Sequence, residues 1–107
     1  MSAVAKATTV KEVLVAARWM IDNVGWCQAN YRIVNDNHVP VSFCALGAIE
    51  EVVANSPDLI SAAKSVLREQ LGLKDANPYS YVPSWNDKAG RTKEEVLALY
   101  DLAITKI

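Results

Sequence analysis

The chain has 107 residues, 51% hydrophobic and 21% charged, with a net charge of −1. That is one domain, residues 1–107, long enough to bury about two-thirds of the surface its unfolded form exposes, with the composition of a folded rather than a disordered polymer. The 11 basic and 12 acidic residues are mixed along the chain, which argues against a nucleic-acid or anionic-membrane surface.

The longest uncharged apolar stretch, Val39 to Ile49, is interrupted by Pro40, Ser42 and Gly47 and is too short to span a bilayer. Residues 1–9 lack the apolar core of an export signal, so a cytoplasmic location is expected, with Cys27 and Cys44 as reduced thiols.

Taken in chain order, Thr9 and Glu12 have capping-box spacing. Val10, Val13, Leu14, Ala17, Ile21 and Val24 recur on one stripe, which predicts a first helix from Thr9. Gly25 stands where a left-handed residue ends a helix. Opposite the stripe, at about 100° per residue, lie Val15 and Trp19. A Val–Trp pair at i, i+4 on a polar face is a second apolar stripe that the core does not need, and Trp is enriched at interface hot spots. It points to a homodimer or partner surface, unless the segment from Lys74 to Gly90 folds back over it.

Residues Tyr31 to Val34 can pair with Val39 and Val41 across the turn Asn35-Asp36-Asn37-His38, with Pro40 confining the second strand to an edge. A second helix is expected from Phe43 to Ala54. Its small-residue face, Cys44, Gly47 and Ala48, suggests that a helix or an aromatic ring, Trp26 or Trp85 above all, approaches the Gly47 backbone. A third helix follows with Ser56 as N-cap and Pro57 at its first position, running to Gly72 and a Leu73 contact. Lys74 to Gly90, with two prolines, two tyrosines and Trp85, reads as an ordered loop. Thr92 and Glu95 open the last helix with a second capping box, presenting Val96, Leu97, Tyr100, Ala103, Ile104 and Ile107 to the core. The expected fold is therefore mainly α: four helices around the second, with a short β-hairpin as the addition that the valine pattern allows.

The candidate chemistry is sparse. Cys44, in the first turn of the second helix, is the one candidate nucleophile, because a helix N-terminus lowers a thiol pKa. His38 is six residues upstream, and Asp36 or Asp87 would orient it. The plainer reading makes Cys44 a small buried hydrophobe and His38 a solvated turn residue. Cys27, His38 and Cys44 match no metal-ligand spacing, and no glycine-rich phosphate loop or cofactor motif is present. Trp85-Asn86-Asp87 reads either as a stacking and hydrogen-bonding surface for a ligand, or as a core plug followed by two side chains that close local turns.

Three segments in order, Gly25-Trp26-Cys27-Gln28, Phe43-Cys44-Ala45-Leu46-Gly47-Ala48-Ile49, and Trp85-Asn86-Asp87 followed by Arg91 to Val96, resemble a family of small proteins of unknown function from bacteria and their phages. Its pattern is Gly-Trp after a first helix, a Cys-x-x-Gly-Ala helix, and Trp-Asn-Asp before a last helix. The resemblance implies that Trp26, Cys44, Gly47, Ala48, Trp85, Asn86 and Asp87 belong to one shared design. It implies no activity, and His38 falls outside it. The expectation is a non-enzymatic binding or interaction module, encoded by a phage or mobile element and recognising a host protein or a small ligand, with Val15, Trp19, Trp85, Asn86 and Asp87 as the recognition residues. The alternative is a small enzyme centred on Cys44 with Asp87 or Asn86.

Overall fold

Both capping boxes form and set the two ends of the fold. Thr9 Oγ1 accepts the Glu12 N–H at 3.1 Å while Glu12 Oε1 accepts the Thr9 N–H at 3.2 Å. Thr92 and Glu95 repeat the exchange at 3.2 and 2.9 Å. In the computed structural model, which describes residues 8–53, 55–72 and 78–107 (main chain alone over 78–81), these boxes open helices α1 (Val10–Asn23) and α5 (Lys93–Thr105).

Between them lie β1 (Arg32–Val34), β2 (Pro40–Phe43), α2 (Gly47–Val52), α3 (Pro57–Glu69) and α4 (Pro78–Asn86). The fold is mainly helical with one antiparallel hairpin, as the sequence predicts, but with five helices rather than four. The additional one, α4, replaces the expected loop. Pro78 suits a first helical position, whereas Pro83 inside the helix is the signal that argues against one.

The hairpin pairs Arg32 with Phe43, Ile33 with Ser42 and, across a bulge, Val34 with Pro40. Asn35 Oδ1 accepts the N–H groups of Asn37 and Val39, closing the turn, and His38 adopts a left-handed φ of 62°. Because Phe43 completes β2, the second helix cannot begin there. It starts at Gly47, and Cys44 lies in the turn before it rather than in its first turn. Ala54, Leu73 and residues 74–77 of the sequence reading lie outside the described residues.

Val13, Leu14, Ala17 and Ile21 of α1 are buried against α2, α3 and α5, so α1 is the element on which the others converge. Helix α2 is the more enclosed, with Gly47, Ala48, Ile49 and Val52 all buried. Helix α5 adds Val96, Tyr100 and Ala103 as expected, and Leu99 besides; Ile107 is exposed. Gly25 does not end α1 in a left-handed conformation. Its small size serves a close approach instead, since a Cβ there would stand 2.5 Å from the Val41 carbonyl oxygen.

Candidate functional site

Gly25 to Cys27 runs parallel to the end of β2. The Phe43 N–H donates to the Gly25 carbonyl and the Cys27 N–H to the Phe43 carbonyl, both at 3.0 Å, which sets Trp26 beside Phe43. A continued parallel ladder would next join the Ala45 N–H to the Cys27 carbonyl. The carboxamide of Asn86 stands in that gap. Its Oδ1 accepts the Ala45 N–H at 3.0 Å and its Nδ2 donates to the Cys27 carbonyl at 3.1 Å. A side-chain amide carries the same donor and acceptor as a peptide, so Asn86 completes the ladder from the last residue of α4.

Two more bonds use up the group. Trp26 Nε1–H donates to Asn86 Oδ1 at 2.8 Å, and Asn86 Nδ2 donates to Asp87 Oδ1 at 2.9 Å. An indole N–H and a backbone N–H can only donate, so the oxygen must face them, and the amide has a single orientation. Asn86 has no exposed surface and all four of its hydrogen-bond positions are filled.

The neighbouring residues secure the same junction. Asp87 Oδ1 also accepts the N–H of Ala29, which is held at a φ of 72°. Gln28 Nε2 donates to the carbonyls of Asn86 and Lys88, at 2.9 and 3.1 Å, satisfying acceptors beyond the end of α4. Arg91 Nε donates to the Trp85 carbonyl at 2.8 Å, and its guanidinium lies 4.0 Å from the centre of the Trp85 ring. Trp85 is therefore half-buried with a cation over one face, not an open stacking platform. Nor do Asn86 and Asp87 close local turns: their partners at Trp26 to Ala29 and Ala45 lie far away in sequence.

Gly47 is approached by main chain rather than by an aromatic ring. A Cβ on it would stand 1.9 Å from the Tyr31 carbonyl oxygen, the atom that also accepts the Cys44 N–H at 2.9 Å. The buried Tyr100 hydroxyl donates to the Ala45 carbonyl, so Ala45 is held on both sides, by Tyr100 and by Asn86.

Beside this junction is a cleft of about 330 Å³ lined by Ala29, Asn30, Tyr31, Cys44, Pro83 and Asp87. It brings Cys44 and Asp87 together, as the resemblance implies. Burial pushes the Cys44 thiol up from its ordinary value, against the pull of the Gly47 and Leu46 N–H groups, and the nearby Cys27 and Asp87 push it further the same way. Burial also raises Cys27. The lowering expected of a helix-start thiol is therefore reversed, because Cys44 precedes the helix and is enclosed. His38 sits in the exposed hairpin turn and does not line the cleft. Among the described residues no three His, Cys, Asp or Glu side chains gather to hold a metal.

Val15 and Trp19 are 49% and 52% exposed on the outer face of α1, apart from the cleft. Among the described residues no helix is long and apolar enough to cross a membrane. Sequence reasoning passed over Ala29, Tyr31, Gln28 and Tyr100. Only Tyr100 carried a usable signal, since a phenol on a core-facing stripe requires a buried acceptor.

No curated protein and no solved structure matches the chain. A family model described as a family of unknown function, DUF6197, matches residues 5–106. The chain belongs to that family.

Proposed function

We propose that the chain is a non-enzymatic binding module, and that the cleft of Asn30, Tyr31, Cys44, Pro83 and Asp87 receives a small ligand or a side chain of a partner protein from a bacterial host. The observation that carries this reading is how the polar groups around the cleft are used. Asn86 has no free position, Asp87 Oδ1 is committed to two donors, and the thiol is raised rather than lowered. A nucleophilic cysteine needs thiolate near neutral pH and a base to make it, and neither is provided. What remains is a preformed concavity with an apolar wall and a few fixed polar groups, the form of a recognition site.

The alternative, an enzyme centred on Cys44 with Asp87 or Asn86, has one observation in its favour: Cys44 and Asp87 share the cleft. A second contact surface is proposed at Val15 and Trp19, whose exposure supports self-association through α1.

Asn30→Arg tests the cleft directly, because Asn30 is exposed and its side chain accepts or donates none of the bonds described above. The expected result is unchanged thermal unfolding, with loss of the partner or small molecule that the unaltered protein retains from bacterial lysate. Equal retention by both proteins would place recognition elsewhere.

A further inference from the structure

A second cavity, of about 370 Å³, lies along the outer face of α3, on the other side of residues 44–46 from the Cys44 cleft. Its polar wall consists of Ser56, Ser61, Ser65, Lys64 and Arg68. Positions 57, 61, 64, 65 and 68 fall on one line of a helix, so the cavity follows α3 for about 16 Å at 1.5 Å per residue. Leu46, Pro57 and Ile60 supply an apolar wall.

The hydrogen bonding along this wall is incomplete, and always on the donor side. Arg68 Nε is the only side-chain nitrogen or oxygen among the described residues that is buried with no hydrogen-bond partner. A guanidinium stays charged at any pH the fold survives, so this donor cannot be relieved by losing its proton. Buried donors are almost always matched by an acceptor, and an orphan of this kind marks one that is missing. Ser56, at the N-cap of α3, makes no side-chain bond to the first turn, and Pro57 has no N–H. Lys64 adds a second cation, partly neutralised by Glu50 Oε2 at 2.6 Å, and Asp58 in the first turn of α3 is the other nearby acid. Hydroxyls, an ammonium and an unpaired guanidinium N–H on one wall suit an oxygen-rich anion, with the apolar wall taking whatever stem it carries.

We propose that this cavity binds a small carboxylate or phosphate with a short apolar stem, and that Arg68 Nε–H is its principal donor. The site stands on residues other than those of the Cys44 cleft, so either can fail without the other. The probes are inorganic phosphate, acetate and butyrate, titrated into the full chain at constant ionic strength and followed through the backbone amide signals. Saturable shifts confined to residues 55–68 are expected, with butyrate binding more tightly than acetate because its stem reaches Leu46 and Ile60. Arg68→Lys keeps the charge and removes Nε–H, so its affinity should fall about tenfold or more, the loss of one charge-assisted bond. Should that variant misfold, Ser61→Ala and Ser65→Ala are exposed or half-exposed replacements that should each weaken binding severalfold. Shifts that do not saturate, that spread over the whole surface, or that persist unchanged in Arg68→Lys or in both serine variants would overturn the proposal.

Discussion

Tyr31 and Gly47 meet backbone to backbone, so closely that a Cβ on Gly47 would lie 1.9 Å from the Tyr31 carbonyl oxygen. Because the obstructing atom is main chain, it cannot swing aside as a side-chain tip would. Gly47→Ala would gain about 1 kcal/mol of helix propensity. It should nevertheless lose about 1–3 kcal/mol overall through overpacking, since Tyr31 must retreat and the Cys44 N–H then loses its acceptor. Urea unfolding of the variant measures this, and a stability equal to or above that of the unaltered protein would show that the approach is not tight.

Asn86→Leu keeps the volume and removes every hydrogen bond. It strands the Trp26 indole N–H, the Ala45 N–H and the Cys27 carbonyl. With each buried orphan costing about 1–3 kcal/mol, a loss of at least about 3 kcal/mol is expected in denaturant unfolding. Asn86→Asp should be pH-dependent. The introduced carboxyl is buried next to Asp87, so its folded pKa is raised, and it contributes stability below the unfolded value that is lost as pH rises through the folded one. The variant should therefore be closer to the unaltered protein at pH 4.5 than at pH 8; the reverse order would contradict the role given to the Asn86 nitrogen.

The alkaline limb of the stability profile follows from three groups. Burial raises the pKa of Cys27, Cys44 and Tyr100 in the folded chain, Tyr100 most strongly. All three are acids held in their neutral forms, so the folded state retains protons that the unfolded state releases. Their contribution is whole below the ordinary thiol range and drains away as pH rises through it. The urea midpoint should hold level from about pH 6 to 8 and fall above the thiol range. A midpoint that climbs between pH 8 and 10 would show the sign to be wrong.

Trp19→Glu addresses the outer face of α1. The side chain is half-exposed, so the substitution should change folding stability by no more than about 0.5 kcal/mol. Light scattering should show the unaltered chain as a dimer and the variant as a monomer. A monomeric unaltered protein would remove self-association from the account.

What the sequence made legible were the features specified within four residues or by a repeated period. Thr9–Glu12 and Thr92–Glu95 are local exchanges, and both formed. The valine-flanked Asn35 turn is likewise local, and the hairpin formed with Pro40 in its second strand. Helix α4 was not legible, because Pro83 contributes against helix at short range while the junction made by Asn86 and Gln28 holds the end of α4 from a distance. Phe43 misled in the same way: its apolar neighbours suit a helix, but its N–H and carbonyl are taken by Gly25 and Cys27. At the site, the motif residues were found and their roles were not. An Asn beside a turn ordinarily bonds to its own backbone, and nothing in sequence spacing says that Asn86 instead replaces a rung between Cys27 and Ala45.

The pH dependence of Cys44 alkylation tests the central claim, a recognition cleft without a nucleophile, most directly. Iodoacetamide is applied to Cys27→Ser, so that one thiol reports, and the rate is compared with that of the unfolded chain in urea. The account predicts slow labelling at neutral pH, rising only above the ordinary thiol range and slower than the unfolded chain throughout. A rate that levels off below pH 7 and exceeds the unfolded rate there would mean a preformed thiolate at Cys44, contradicting the non-enzymatic reading and favouring the enzyme.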